Sequence, residues 1–223
     1  LSDIPDPRVS RTQKHLLKDI LAIAILPVIG GAEGWEDMEN YGIAKQQWLE
    51  EFLELDNGIP SDDTFRRVFE RIKPEALEKC LNKWLQTIMG SLKGEIVPID
   101  GKSLRGSYDR NLGQSTLHLV TAWASEQRLV LGQVKDAQLL CRAIRTHWSI
   151  ENQLHWTLDV TFNEDRSRIR SGHSPRNFAF LRRLALNALN QETTFKRSLR
   201  QKRKQAAMND DYMMTVLNTF CQA

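Results

Sequence analysis

Apolar positions recur at helical spacing from Lys14 to Leu85 and give way to β-rich runs between Glu95 and Lys135. Lys14 to Ile29 predicts a helix that is apolar nearly all round in its second half and therefore buried, with Gly30 and Gly31 to stop it. Glu33 to Asn40 is a short amphipathic segment. Ala44 to Leu55 sets Trp48, Phe52 and Leu55 on one helical face as core residues. After the Asp56–Pro60 turn, Ser61 offers an N-cap for a helix through Phe65, Val68 and Phe69, and Pro74 opens the next, through Leu77, Leu81, Trp84 and Leu85.

The strand region has a different grammar. Ile96 to Ile99 is a short apolar run that ends at Asp100 and breaks into a glycine- and hydroxyl-rich loop carrying Lys102 and Arg105. Thr116–Ala124 and Arg128–Val134 read as strands of a hairpin across Ser125–Gln127. Asp136 then caps a helix reaching about Leu158. Ser171–Pro175 is a turn, Arg176–Asn190 an amphipathic helix, Lys196–Lys204 a basic helix-compatible run, and Asp210–Phe220 a final helix.

Composition narrows the class. With 223 residues and 41% hydrophobic content, the chain can bury one good core or two modest ones. The longest apolar run, Ile20 to Ile29, contains Pro27 and falls well short of the roughly 20 residues needed to cross a bilayer, so no membrane partner is expected. No signal-peptide pattern precedes it. Cys80, Cys141 and Cys221 are far apart and lack metal-ligand spacing, as suits thiols in a reducing cytoplasm. The net charge of +3 divides unevenly: residues 1–93 carry 12 Lys+Arg against 16 Asp+Glu, whereas residues 136–223 carry 14 against 8. The basic C-terminal part points to a polyanionic partner, against the commoner meaning of a solvated helix face.

Two constellations carry candidate chemistry. Asp100 at a strand end is placed as active-site carboxylates often are, although an Asp before Gly also caps turns. In His147-Trp-Ser-Ile-Glu-Asn-Gln-Leu-His155, a helix puts Glu151 one turn from each histidine on a shared face. That trio fits a hydrogen-bonded structural cluster, a zinc site of unusual spacing, or a carboxylate holding a hard, oxygen-preferring ion together with Asp100. Arg66, Arg67 and Arg71 line one flank of the Ser61 helix as candidate phosphate contacts.

The motifs Gly58–Phe69, Ile99–Gly106, His147–Asp159 and Asn177–Leu186 resemble the H-repeat-associated transposases of bacterial insertion sequences, DDE enzymes with a helical N-terminal associated domain. The resemblance implies an α+β chain: a helical domain over residues 1–93, then an incomplete ribonuclease H-like domain over 94–223 with about three antiparallel strands and C-terminal helices. It implies Asp100 and Glu151 as catalytic and metal-ligating residues, Mg²⁺ or Mn²⁺ as cofactor, and the double-stranded DNA of insertion-sequence ends as partner. Lys102, Arg105, Arg166, Arg168, Arg170, Arg182 and Arg183 are the candidate DNA contacts, and a homodimer is left open.

The family's second catalytic Asp has no counterpart here; the segment that carries it would fall between Lys135 and Asp136. Two metal ions in phosphodiester transfer activate the attacking oxygen and stabilise the leaving one, and two carboxylates do not readily hold both. The sequence therefore resembles an internally deleted transposase with strand transfer lost or severely reduced. The alternative is a DNA-binding remnant without chemistry that interferes with a full-length sister enzyme.

Overall fold

Helix α1 (Leu17–Gly30) is formed by a run whose side chains are nearly all apolar, and every residue from Ile20 to Ile29 except Ala22 is buried. It ends at Gly31, whose φ of 125° only glycine adopts without strain; there the amides of Gly31 and Ala32 both donate to Pro27 O at 2.7 Å. This computed structural model describes residues 4–9, 11, 13–88, 99–104, 117–124, 129–134 and 154–219; for the strands it describes the backbone, with the side chain of Val130 alone.

Helices α2 (Trp35–Ala44), α3 (Gln46–Leu49), α4 (Asp62–Arg71) and α5 (Pro74–Ile88) follow. Ser61 caps α4 by accepting from Thr64 N at 3.4 Å, and Pro74 is the first residue of α5, as their local chemistry predicts. The helix expected over Ala44–Leu55 stops after one turn. Glu50, Glu51 and Glu54 put negative charge where the helix dipole is itself negative, which disfavours extension. Trp48 and Phe52 still meet edge-on at 5.1 Å, and Leu55 is buried.

Strands β1 (Ile99–Leu104), β2 (Leu117–Ala124) and β3 (Leu129–Val134) pair antiparallel in the order β1-β2-β3, with a register shift at Ala122/Trp123. After them come α6 (Trp156–Val160), a 3₁₀ turn at Glu164–Arg166, α7 (Ser174–Gln191), α8 (Leu199–Met208) and α9 (Asp210–Asn218). The expected helix over 136–158 lies outside the described residues except at its end.

Helix α7 is the centre of the molecule. It touches α1, α4, α5, α8, α9 and β3, and every residue from Asn177 to Leu189 is buried, where the sequence pattern predicts an amphipathic helix. A helix buried all round must satisfy its polar side chains internally. Asn177 Nδ2 donates to Phe69 O (2.7 Å) and Ile72 O (3.0 Å), taking up carbonyls at the end of α4. Asn187 clamps β3, accepting from Val130 N at 2.9 Å and donating to Val130 O at 3.1 Å. Trp35 stacks on Phe69 at 5.3 Å and meets Phe178 edge-on at 5.1 Å, so aromatic rings from three helices close the middle of the core.

Two further cations take up carbonyls at helix ends. Arg203 donates to Val28 O (3.1 Å) and Ile29 O (3.3 Å) at the end of α1 and also reaches Thr161 O. Lys202 donates to Leu189 O at 2.9 Å and to Glu192 O at the end of α7. Both add positive charge where the helix macrodipole is negative. Residues from either side of position 93 thus share one hydrophobic core.

The expectation of an α+β chain with an incomplete ribonuclease H-like domain is corrected. The body whose side chains are described is helical and packs helix on helix, and Val130 is the described strand side chain that enters its core. The amphipathic period of Arg176–Asn190 predicts a helix with one exposed face, but α7 is packed on all sides by α1, α4, α5, α8, α9 and β3.

Candidate nucleic-acid interface and catalytic residues

Asp100 is the second residue of β1, paired with Thr121, where the sequence predicts a strand exit. Gly101 to Leu104, expected as loop, continue the strand, and Lys102 pairs with Leu119. The side chains of Asp100 and Lys102, and the whole of Arg105, His147 and Glu151, lie outside the described residues. Of the histidine–glutamate trio, His155 is described and is buried just before α6. Among the described residues, no group of three or more His, Cys, Asp and Glu could hold a metal ion.

Arg182 and Arg183, expected as DNA contacts, are 2% and 1% exposed. The reason is tertiary. Arg183 forms a buried ion pair with Glu164, Nη1 to Oε1 at 3.1 Å, and donates to Ala179 O at 2.9 Å. Arg182 lies over the Phe178 ring at 4.5 Å; burial lowers its pKa to about 10, against the opposing pull of Glu164. At neutral pH the Arg182 guanidinium stays charged, and Glu164 serves the core.

Of the expected DNA contacts whose side chains are described, Arg166, Arg168 and Arg170 reach solvent. Arg166 closes the 3₁₀ turn and the backbone turns extended at Ser167; the three arginines are exposed while Ile169 packs against the core. The row is anchored at its far end by Gly172, whose φ is 54° and where a Cβ would lie 2.7 Å from Glu70 O; the His173 amide donates to that same oxygen at 3.1 Å. A larger residue at 172 would push the arginine row off the end of α4. On α4 itself, Arg66 pairs with Asp63 (2.5 Å) and Glu70 (3.1 Å), and Arg67 with Asp63 (3.1 Å), so acidic neighbours already neutralise these two, while Arg71 at the helix end is exposed.

The basic run 196–204 divides by helical period. Lys202 and Arg203 turn inward to helix-end carbonyls, and Arg200 and Lys204, one turn apart on α8, face solvent. They border a groove that also holds Trp156, to which the sequence patterns assign no role. Its one sequence signal is that α6 carries a large ring beside Thr157 and Leu158, which point inward.

Comparison with known proteins bears on this arrangement. The DDE_Tnp_1-associated family model matches residues 1–85. YncI of Escherichia coli O157:H7, which bears a transposase name, is 26% identical in an alignment of 362 residues covering 97% of this chain and 93% of YncI. YhhI of Escherichia coli K12, named as an H repeat-associated transposase, is 24% identical over 363 residues, 97% of this chain and 96% of its own. The K12 protein named "Inactive transposase YbfQ" is 42% identical over 73 residues, 33% of this chain and 87% of that relative. The two long alignments exceed the 223 residues of this chain, so stretches of both relatives face no residue of it. No solved structure matches the chain. Among the described residues, no helix is long and apolar enough to cross a membrane. Matched across its associated region and aligned along nearly its whole length with two proteins that bear transposase names, one of them H repeat-associated, the chain belongs to the H-repeat-associated transposase family.

Proposed function

We propose that this transposase-family chain binds duplex DNA but no longer performs strand transfer. The observation that carries the reading is the excess length of the alignments: relatives run to 362 and 363 aligned residues where this chain has 223. The absent stretch is assigned to the junction of Lys135 and Asp136, where the second catalytic carboxylate of the family would fall. A pair of Mg²⁺ ions would supply activation of the attacking oxygen and stabilisation of the leaving one. Asp100 and Glu151 are the ligands that remain to hold them, one carboxylate short of the family's set. Mg²⁺ tolerates little departure from octahedral geometry, so the loss of a ligand costs affinity steeply.

The DNA-binding half of the reading rests on the arginine row. Arg166 closes the 3₁₀ turn, and Arg168 and Arg170 follow it at every second residue, all three exposed. Their guanidiniums can therefore follow a phosphate strand without further folding. Removing the middle of the chain leaves this row intact, because the helices that support it come from residues 17–88 and 154–219.

Two measurements test the halves separately. Purified protein with Mg²⁺ or Mn²⁺ is expected to leave duplexes bearing the inverted repeats of its own coding region uncut; cleavage that Asp100→Ala abolishes would overturn the inactivity. Binding to duplex DNA is expected to weaken with salt, and replacing Arg166, Arg168 and Arg170 with alanine to flatten the log–log slope by about 0.9 for each phosphate no longer neutralised. Undetectable or salt-insensitive binding removes the DNA reading.

A further inference from the structure

Trp156 and Val160 stand one turn apart on α6 with 59% and 57% of their surfaces exposed, unusual for large apolar residues on a helix whose other side is buried. They open onto a groove of about 770 Å³ between α6, α8 and the end of α1. Leu199 continues the apolar floor, Gly30 and Gly31 add bare backbone, the buried Arg203 lines the wall, and Arg200 and Lys204 form the rim. Among the described residues, no carboxylate lines it. Arg203 is fixed by backbone carbonyls and lies over the Phe162 ring at 4.0 Å, with the Glu33 carboxylate near enough to offset part of its charge, so Arg200 and Lys204 carry most of the positive charge that the groove presents.

An indole face rimmed by the exposed cations Arg200 and Lys204, with no anion among the described lining residues, selects a planar aromatic ligand that carries negative charge. Bases within a duplex are stacked and hide their faces, so duplex DNA alone does not fill such a groove. An unpaired nucleotide does: the base gains stacking on an aromatic ring, and the phosphate gains charge-assisted contacts. The volume suits it, since ligand grooves of roughly 300–1,000 Å³ hold molecules of that size. Asn163 lines the groove three residues before Arg166, so a strand tracked by the arginine row is delivered to its mouth.

We propose that the groove takes an unpaired nucleotide at a DNA end, its base laid on Trp156 and Val160 and its phosphate held by Arg200 and Lys204. As a deepening of the DNA-binding reading, it rests on that reading for the route by which the end arrives.

The test uses the full chain with three probes: a blunt duplex, the same duplex with a three-nucleotide overhang at either end type carrying 2-aminopurine, and the overhang strand alone. The overhang duplex is expected to bind roughly tenfold tighter than the blunt one, with 2-aminopurine fluorescence quenched by the indole. Trp156→Ala, on an exposed position, is expected to lose the preference and the quenching while binding the blunt duplex as before, and Trp156→Phe to retain part of both. Arg200→Ala with Lys204→Ala is expected to flatten the salt slope for the overhang duplex more than for the blunt one.

Equal affinity for blunt and overhang duplexes, or a Trp156→Ala variant that keeps the preference, overturns the groove assignment and leaves duplex binding standing. Quenching with the single strand but no binding to blunt duplex supports the groove and overturns duplex binding. Binding to none of the three overturns both. Self-association of the free protein that Trp156→Ala abolishes also overturns the proposal, because the face is then covered by a second copy.

Discussion

Glu164→Ala destabilises the protein by about 3–5 kcal/mol, the cost of leaving a buried charge without its partner. The side chains of Arg183 and Glu164 are 1% and 0% exposed, so the pair is held away from bulk solvent. The damage extends to Arg182, which is 2% exposed and feels the charge of the same carboxylate. Set against a total stability of about 5–15 kcal/mol, the loss brings the variant close to unfolding at ambient temperature. Replacing both partners with apolar residues of similar volume, Glu164→Leu with Arg183→Met, is expected to recover most of the stability, since the desolvation cost of the pair disappears with it. Urea unfolding of the two variants beside the parent measures both numbers. A loss under about 1 kcal/mol for Glu164→Ala, the range of exposed pairs, would mean that the carboxylate reaches solvent.

Residues 1–93, expressed alone, are expected to show helical circular dichroism without a cooperative thermal transition. The reason lies in what α1 to α5 lean on. The all-round apolar surface of α1 is covered by α7 and α8, and its final carbonyls are taken by Arg203. The last carbonyls of α4 are taken by Asn177, and Trp35 fits between Phe69 and Phe178. Cutting the chain at 93 strips apolar surface from every one of these places, at about 25 cal/mol for each Å² returned to water. Adding residues 154–223 in trans is expected to restore a sharp melt. A cooperative melt by the first fragment alone would make the associated region self-sufficient, and the shared core incidental.

These two results mark where the chain's code is local and where it is not. Ser61, Pro74 and Gly31 act on their own neighbours, and each does in the structure what its chemistry predicts. Adjacent arginines on an amphipathic pattern ordinarily mark the wet side of a helix, which is why Arg182 and Arg183 read as solvent-facing from sequence. The partner Glu164 is 19 residues from Arg183, and nothing short of the fold brings it there. The same limit applies to Asn177 and Asn187, polar residues whose burial follows from carbonyls more than fifty residues away. The apolar run before Asp100 is enough to place that residue in a strand, but not to place it within the strand, since the end of β1 is set by pairing with β2. For the candidate site, the motifs supply the family and the acidic residues, and charge supplies the basic half. Which arginines face outward depends on the alternation of one short segment and on the turn of one helix.

The bond from Arg203 to the end of α1 also fixes an order of events during synthesis. The ribosome delivers α1 early, but its covering helices follow only after more than half the chain has been made. At about 5–20 residues per second, the apolar run from Ile20 to Ile29 waits on the order of ten seconds or more for them. Throughout that interval it is a target for holding chaperones and for proteases, and the yield of intact protein in the cell depends on how well it is shielded until α8 emerges.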